Sequence, residues 1–290
     1  MTWLMDILRG VVIGIANVIP GVSGGTMAVS MGIYDKFIHA VTNLFRKFKQ
    51  SILTLLPLGI GMLIGILGFA SLIKWLLGIQ DDGSTVQTLT RLPTVFAFIG
   101  LILGGLPAVI RRMSVKKAGV SGGVLFVLFF ALIIVLPYLQ GTGDRTLDLS
   151  VGSVVTLILV GALASATMVV PGVSGSMVLM LIGYYNPVIN ALSTLKSAPL
   201  EALGILLPFA VGVVIGIFSI SKLLDVLFSK YPDKTYCAIL GLVFASPIAL
   251  LLKNADAFAI GNLLNYVACA VCLCVGFAAA YLLSGEKKKA

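Results

Sequence analysis

Acid–base and metal chemistry have little to work with in this chain. Among its 290 residues there is one histidine, His39, only 11 acidic residues, and four cysteines (Cys237, Cys269, Cys272, Cys274) that all sit in apolar segments. Phosphoryl chemistry on a membrane lipid needs clustered aspartates with a metal ion, or a set of His and Arg side chains. Neither set exists, which argues against an enzyme and calls for no metal or cofactor. Asp81-Asp82-Gly83 reads as a turn, because no second acidic cluster accompanies it. Cys269-x-x-Cys272 lacks a histidine or a second pair, so it reads as apolar filler. Charge of either sign is scarce too: 11% of residues, against about 25% in a soluble domain.

What remains is apolar. Hydrophobic residues make up 59% of the chain and the mean hydropathy is +1.11, so the chain is an integral membrane protein with no room for a separate soluble domain. The apolar stretch before residue 20 has no convincing small-residue cleavage site and is expected to be retained. The net charge of +9 does not point to nucleic acid, since the basic residues lie in short loops between apolar runs, where they set topology.

The runs are interrupted at one place in a way that recurs. Asn17-Val18-Ile19-Pro20-Gly21-Val22-Ser23-Gly24-Gly25-Thr26 returns as Met168-Val169-Val170-Pro171-Gly172-Val173-Ser174-Gly175-Ser176-Met177. Proline removes a backbone donor and glycine weakens a helix, so each copy should break one. Shifting the chain by 151 residues aligns 16–41 with 167–192, with ten of 26 positions identical. The same register pairs Pro57 with Pro208, Gly61 with Gly212 and Gly65 with Gly216. Composition alone does not align proline and glycine over such a length, so the chain is a duplication.

Each half reads as a hairpin hinged at the break, followed by three spans: 7–19, the break, 27–41, 52–77, 94–110 and 120–139, then 151–170, the break, 178–192, 202–228, 236–252 and 260–283. A hairpin returns the chain to its starting side and three spans cross an odd number of times, so the second copy is inverted. With both termini cytoplasmic, 15 basic residues fall inside and 5 outside, as the positive-inside rule asks. The expected fold is an all-α polytopic membrane protein, one transmembrane domain made of two inverted repeats, 1–140 and 150–285, each opening on a broken, re-entrant hairpin.

Broken helix inside a membrane is tolerated only where protein or a wet cavity surrounds it, and a duplicated break points to a transporter's binding site. Each break ends at a helix start near Ser23 or Ser174. Two helix N-termini facing each other make an anion site without buried Lys or Arg. The expected headgroup site is therefore Asn17, Pro20, Gly21, Ser23, Gly24, Gly25 and Thr26 from the first copy, with Pro171, Gly172, Ser174, Gly175 and Ser176 from the second. Tyr34 and Tyr185 read first as interfacial anchors and second as ligand contacts. Asp35, His39, Arg111 and Arg112 are accessory: His39 as a solvated loop-end residue or proton relay, the arginines as topology determinants or headgroup recruiters. Asp225, one turn after Lys222, is expected to pair with it.

The 17–26 stretch, its partner at 170–176 and Gly32-Ile33-Tyr34-Asp35 resemble the bacterial polyprenyl-phosphate transporter family (PopT type), long grouped as a domain of unknown function. The resemblance spans essentially the whole chain. It implies a multi-pass protein of the bacterial plasma (inner) membrane that returns undecaprenyl phosphate, or a similar anionic polyprenyl lipid, from the outer to the inner leaflet for reuse in cell-envelope and peptidoglycan synthesis. The residues themselves leave two rivals open, a secondary transporter of a small soluble anion and, less well supported, a membrane enzyme acting on lipid phosphates.

Overall fold

The computed structural model describes residues 2–18, 23–78, 89–111, 115–139, 150–260 and 262–284, and among them every regular element is helical. The first half comprises α1 (Thr2–Val18), α2 (Gly24–Ser30), α3 (Tyr34–Thr42), α4 (Phe48–Leu77), α5 (Arg91–Arg111) and α6 (Val115–Val135). The second comprises α7 (Val151–Val169), α8 (Gly175–Leu181), α9 (Tyr185–Ser193), α10 (Pro199–Lys230), α11 (Pro232–Lys253) and α12 (Leu263–Leu283). Among the described residues seven helices, α4 to α7 and α10 to α12, are long and apolar enough to cross a membrane.

Each segment after a break, expected as one apolar run, is two helices. Gly32 and Gly183 adopt positive φ, at 64° and 78°, and the amides after them reach back to the preceding short helix in the same pattern. A left-handed residue ends a helix at little strain only where it is glycine. In the second copy the turn bends α8 against α9 by 112°.

Glycines also fix how the helices pair. A Cβ on Gly61 would run into the Ile7 carbonyl and one on Gly65 into that of Val11, so α1 and α4 touch backbone to backbone and run parallel. In the second half Gly212 meets Ile158 and Gly216 meets Ala162, the same pairs shifted by 151. Small residues permit this approach between membrane helices. Parallel packing means that α4 and α10 start on the side where α1 and α7 started. The chain has turned back between them, so each hairpin returns it to the side from which it entered.

The last two helices of each half pair across halves, α5 alongside α12 and α6 alongside α11. Equivalent helices of the two halves oppose each other. Arg91, the first residue of α5, donates from Nε to Asn254 Oδ1 (2.9 Å) just beyond the end of α11, so these counterparts meet head to tail. The repeat is thus inverted. Large apolar side chains on α4, α6, α10 and α12 face outward, as a lipid-facing surface requires, while Met27, Met31 and Ile38 of the first hairpin lie fully buried at the centre.

Candidate functional site

The two breaks meet. The backbone N–H of Gly172 donates to Thr26 Oγ1 at 2.7 Å, and a Cβ on Gly25 would lie 2.9 Å from the Val169 carbonyl oxygen and 3.3 Å from the Pro171 nitrogen. Gly172 has φ +81° and packs against the Leu242 carbonyl, halfway along α11, so the junction is at mid-depth. Pro171 is fully buried beneath it.

Both helices beyond the breaks start without a side-chain cap. Ser23 and Ser174 occupy the N-cap positions in extended conformation, yet neither hydroxyl bonds a helix amide. The first intrahelical bonds run from Met27 N to Ser23 O and from Val178 N to Ser174 O. The amides of Gly24, Gly25 and Thr26, and of Gly175, Ser176 and Met177, lie ahead of them at the positive ends of their helices. Ser23 Oγ is buried and has no hydrogen-bond partner among the described residues. A buried hydroxyl left unpaired costs about 1–3 kcal/mol, so Ser23 Oγ is free to bond a polar group brought to the junction. Ser174 and Ser176 bond each other at 2.8 Å, and the Asn17 side chain lies against Gly24. Pro20, Gly21 and Arg112 lie outside the described residues.

Tyr34 and His39 are placed differently from expectation. Tyr34 is no interfacial anchor. It is buried, its hydroxyl donates to the Val169 carbonyl at 2.9 Å, and its ring meets Phe228 edge-on at 6.0 Å. Tyr185 is only half-buried, against Val160, Ala164 and Leu179. His39 is not a merely solvated loop end, because its Nδ1 stands 3.0 Å from Asp225 Oδ1. Asp225 therefore serves α3 across the structure and not Lys222 on its own helix. Asp35 follows Tyr34 in the first turn of α3, and Arg111 is exposed at the end of α5.

Three polar groupings escaped the sequence reading. Asp6 is buried and takes Arg9 (3.0 Å) and Lys36 (3.3 Å), while Arg9 Nε also donates to the Leu283 carbonyl. Arg91 is buried between Asn254 and Asp256. Ser30 donates to the Ile102 carbonyl where α2 crosses α5. Their common signal is a polar side chain near the end of an apolar segment, too frequent a pattern to single out partners. Among the described residues no three His, Cys, Asp or Glu side chains gather as metal ligands.

The chain matches the undecaprenyl phosphate translocase-like family over residues 13–262. A polyprenyl-phosphate transporter of Staphylococcus aureus is 32% identical over 253 residues, 86% of this chain and 86% of that protein. Another, from Vibrio cholerae, is 31% identical over 265 residues, 85% of this chain and 77% of its own. No solved structure matches.

Proposed function

Because the chain belongs to the undecaprenyl phosphate translocase-like family, we propose that it carries an anionic polyprenyl phosphate, undecaprenyl phosphate in the first instance, from the outer to the inner leaflet of the bacterial plasma membrane. Both termini face the cytoplasm, in keeping with the 15 to 5 partition of basic residues. The phosphate binds where the breaks meet, against the leading amides of α2 and α8 and the hydroxyls of Ser23, Ser174 and Ser176. The polyprenyl tail stays in lipid. The observation that carries this reading is the junction itself: two uncapped helix starts and an unpaired buried hydroxyl, held together at mid-depth by Thr26 and Gly172.

Such a cradle suits a phosphate. Amide donors and helix dipoles stabilise negative charge without a buried cation, whose strong attraction would slow release. Thr26 acts as the brace between the breaks, since its oxygen is already engaged by Gly172. The repeats at 1–140 and 150–285 then rock about the junction and expose it to one leaflet at a time.

The test is transport by the purified protein in liposomes. Labelled undecaprenyl phosphate should cross the bilayer, and labelled inorganic phosphate should not be taken up into the same liposomes. A folded protein that leaves the lipid in its original leaflet refutes the reading, and uptake of inorganic phosphate without lipid flipping favours a soluble-anion transporter. Release of phosphate from the lipid would mark an enzyme.

A further inference from the structure

The two halves share one architecture but not one set of contacts. In the first half the hairpin is docked: α3 packs against α10 and α2 against α5. The counterparts in the 151-residue register are α9 with α4, which are not packed together in this way among the described residues, and α8 with α11, where Met177 and Val178 share an apolar cluster with Leu242 and Ala245. Burial follows the same division. On α2 every residue from Thr26 to Ser30 is buried, whereas on α8 only Gly175, Val178 and Leu179 are, and Met180 is 47% exposed. Tyr34 is sealed against Val169 and Phe228, whereas its counterpart Tyr185 is half-buried. Both hairpins have the same internal turn, so the halves differ in docking and not in local folding.

Charge is distributed just as unequally. The docked hairpin is tied by Lys36 to Asp6 on α1 (3.3 Å) and by His39 to Asp225 on α10 (3.0 Å). The 151-residue register replaces Asp6 and Lys36 by Leu157 and Pro187, and Asp225 and His39 by Lys74 and Asn190. No pair of opposite charge exists there.

We propose that the Lys36–Asp6 and His39–Asp225 pairs are a latch on one side only. It closes the junction of the breaks to the face on which the first hairpin opens, the cytoplasmic face in the orientation proposed above. This rests on reading the junction as a transporter's site. The latch parts as the second hairpin closes against α4. Asp6 then keeps Arg9 as its partner (3.0 Å), so Lys36 and His39 are the groups set free. They stand on the path by which an anionic headgroup leaves, and Lys36, with its full charge, draws it toward that face. The other side needs no latch, because the guest enters there.

The test asks from which face the junction can be reached. Ser174→Cys, at the half-buried start of α8, is introduced, and a membrane-impermeant maleimide is applied to right-side-out and inside-out vesicles, with the four native cysteines as background. With the latch intact, labelling comes chiefly from the face of the second hairpin. Asp225→Asn and Lys36→Gln each raise labelling from the opposite face by roughly two- to five-fold, the worth of one partly exposed ion pair. The exchanged pair H39D/D225K lowers it again. An unchanged level in both single variants overturns the latch, and so does a rise on both faces alike, which is general loosening. Should Ser174→Cys fold poorly, Ser176→Cys reports on the same junction. Labelling reads exposure whatever the guest, so a failed lipid assay and a failed latch are separate outcomes.

Discussion

Thr26→Val is the sharpest perturbation of the junction. Valine matches threonine in shape, so it removes the Oγ1 acceptor and leaves the packing nearly unchanged. Thr26 is 1% exposed, and the Gly172 N–H that would be orphaned lies at this part-buried contact. An unsatisfied buried donor costs about 1–3 kcal/mol. Thr26→Ser keeps the hydroxyl and gives up one buried methyl, about 0.8 kcal/mol. If the breaks stay together while the hairpins alternate, the valine penalty falls on every state. The melting midpoint of the purified protein in detergent should then drop by a few degrees. The flipping rate should also fall by more in the valine variant than in the serine variant, because the two helix starts lose their fixed separation. Melting followed by intrinsic fluorescence, with flipping measured in liposomes at equal folded protein, reads both quantities. A valine variant that melts and transports like the parent, with serine no different, would refute the bracing role of Thr26.

Two further substitutions separate binding from packing. Ser23→Ala removes a buried hydroxyl that has no partner among the described residues, so the melting midpoint should hold or rise. Affinity for a lipid phosphate should nevertheless fall roughly 10-fold or more, the worth of a hydrogen bond to a charged group; unchanged affinity in a binding titration would remove Ser23 from the site. Gly212→Val should abolish folded protein, because the Ile158 carbonyl that its side chain meets belongs to a helix backbone. Gly68→Ala, with nothing within 4 Å of the added carbon, should be tolerated or stabilise by up to about 1 kcal/mol; size-exclusion profiles of the two variants compare them directly.

Much of this architecture is legible in the sequence because prolines and glycines that recur in one register mark shared backbone geometry and not composition. Pro57 and Pro208, and Gly61 and Gly212, announce the duplication because each pair occupies the same place in the same helix contact. Basic residues give the inversion because a membrane makes sidedness a property of sequence. The turn at Gly32 was missed because apolar character continues across it, and hydropathy does not register a bend. Partners across the structure were missed for a different reason. Whether Asp225 turns to Lys222 on its own helix or to His39 on α3 depends on which helix lies against α10, and local spacing carries no information on that. Tyr34 and Tyr185 show the limit clearly: one residue type at one repeat position is sealed in one half and half-open in the other.

That inequality reaches the centre of the junction, where Gly25 in the first copy stands opposite Ser176 in the second. Gly25→Ser makes the two copies alike at this position. Its Cβ would come within 2.9 Å of the Val169 carbonyl oxygen and 3.3 Å of the Pro171 nitrogen, closer than side chains normally sit to backbone. Neither neighbour is free to move, since Val169 O already accepts from Tyr34 and Gly172 N–H donates to Thr26. The substitution therefore strains both bonds together and should impair transport and stability more than Thr26→Val does. Ser176→Gly makes the copies alike in the opposite sense and loses only the bond to Ser174, so its effect should be near one ordinary hydrogen bond, about 1 kcal/mol. Were the junction to exchange roles between the copies in each cycle, the two substitutions would weigh equally. A large effect at Gly25 with a small one at Ser176, measured as flipping rate and melting midpoint, would identify the Gly25 contact as a pivot kept throughout the cycle, and equal effects would refute it.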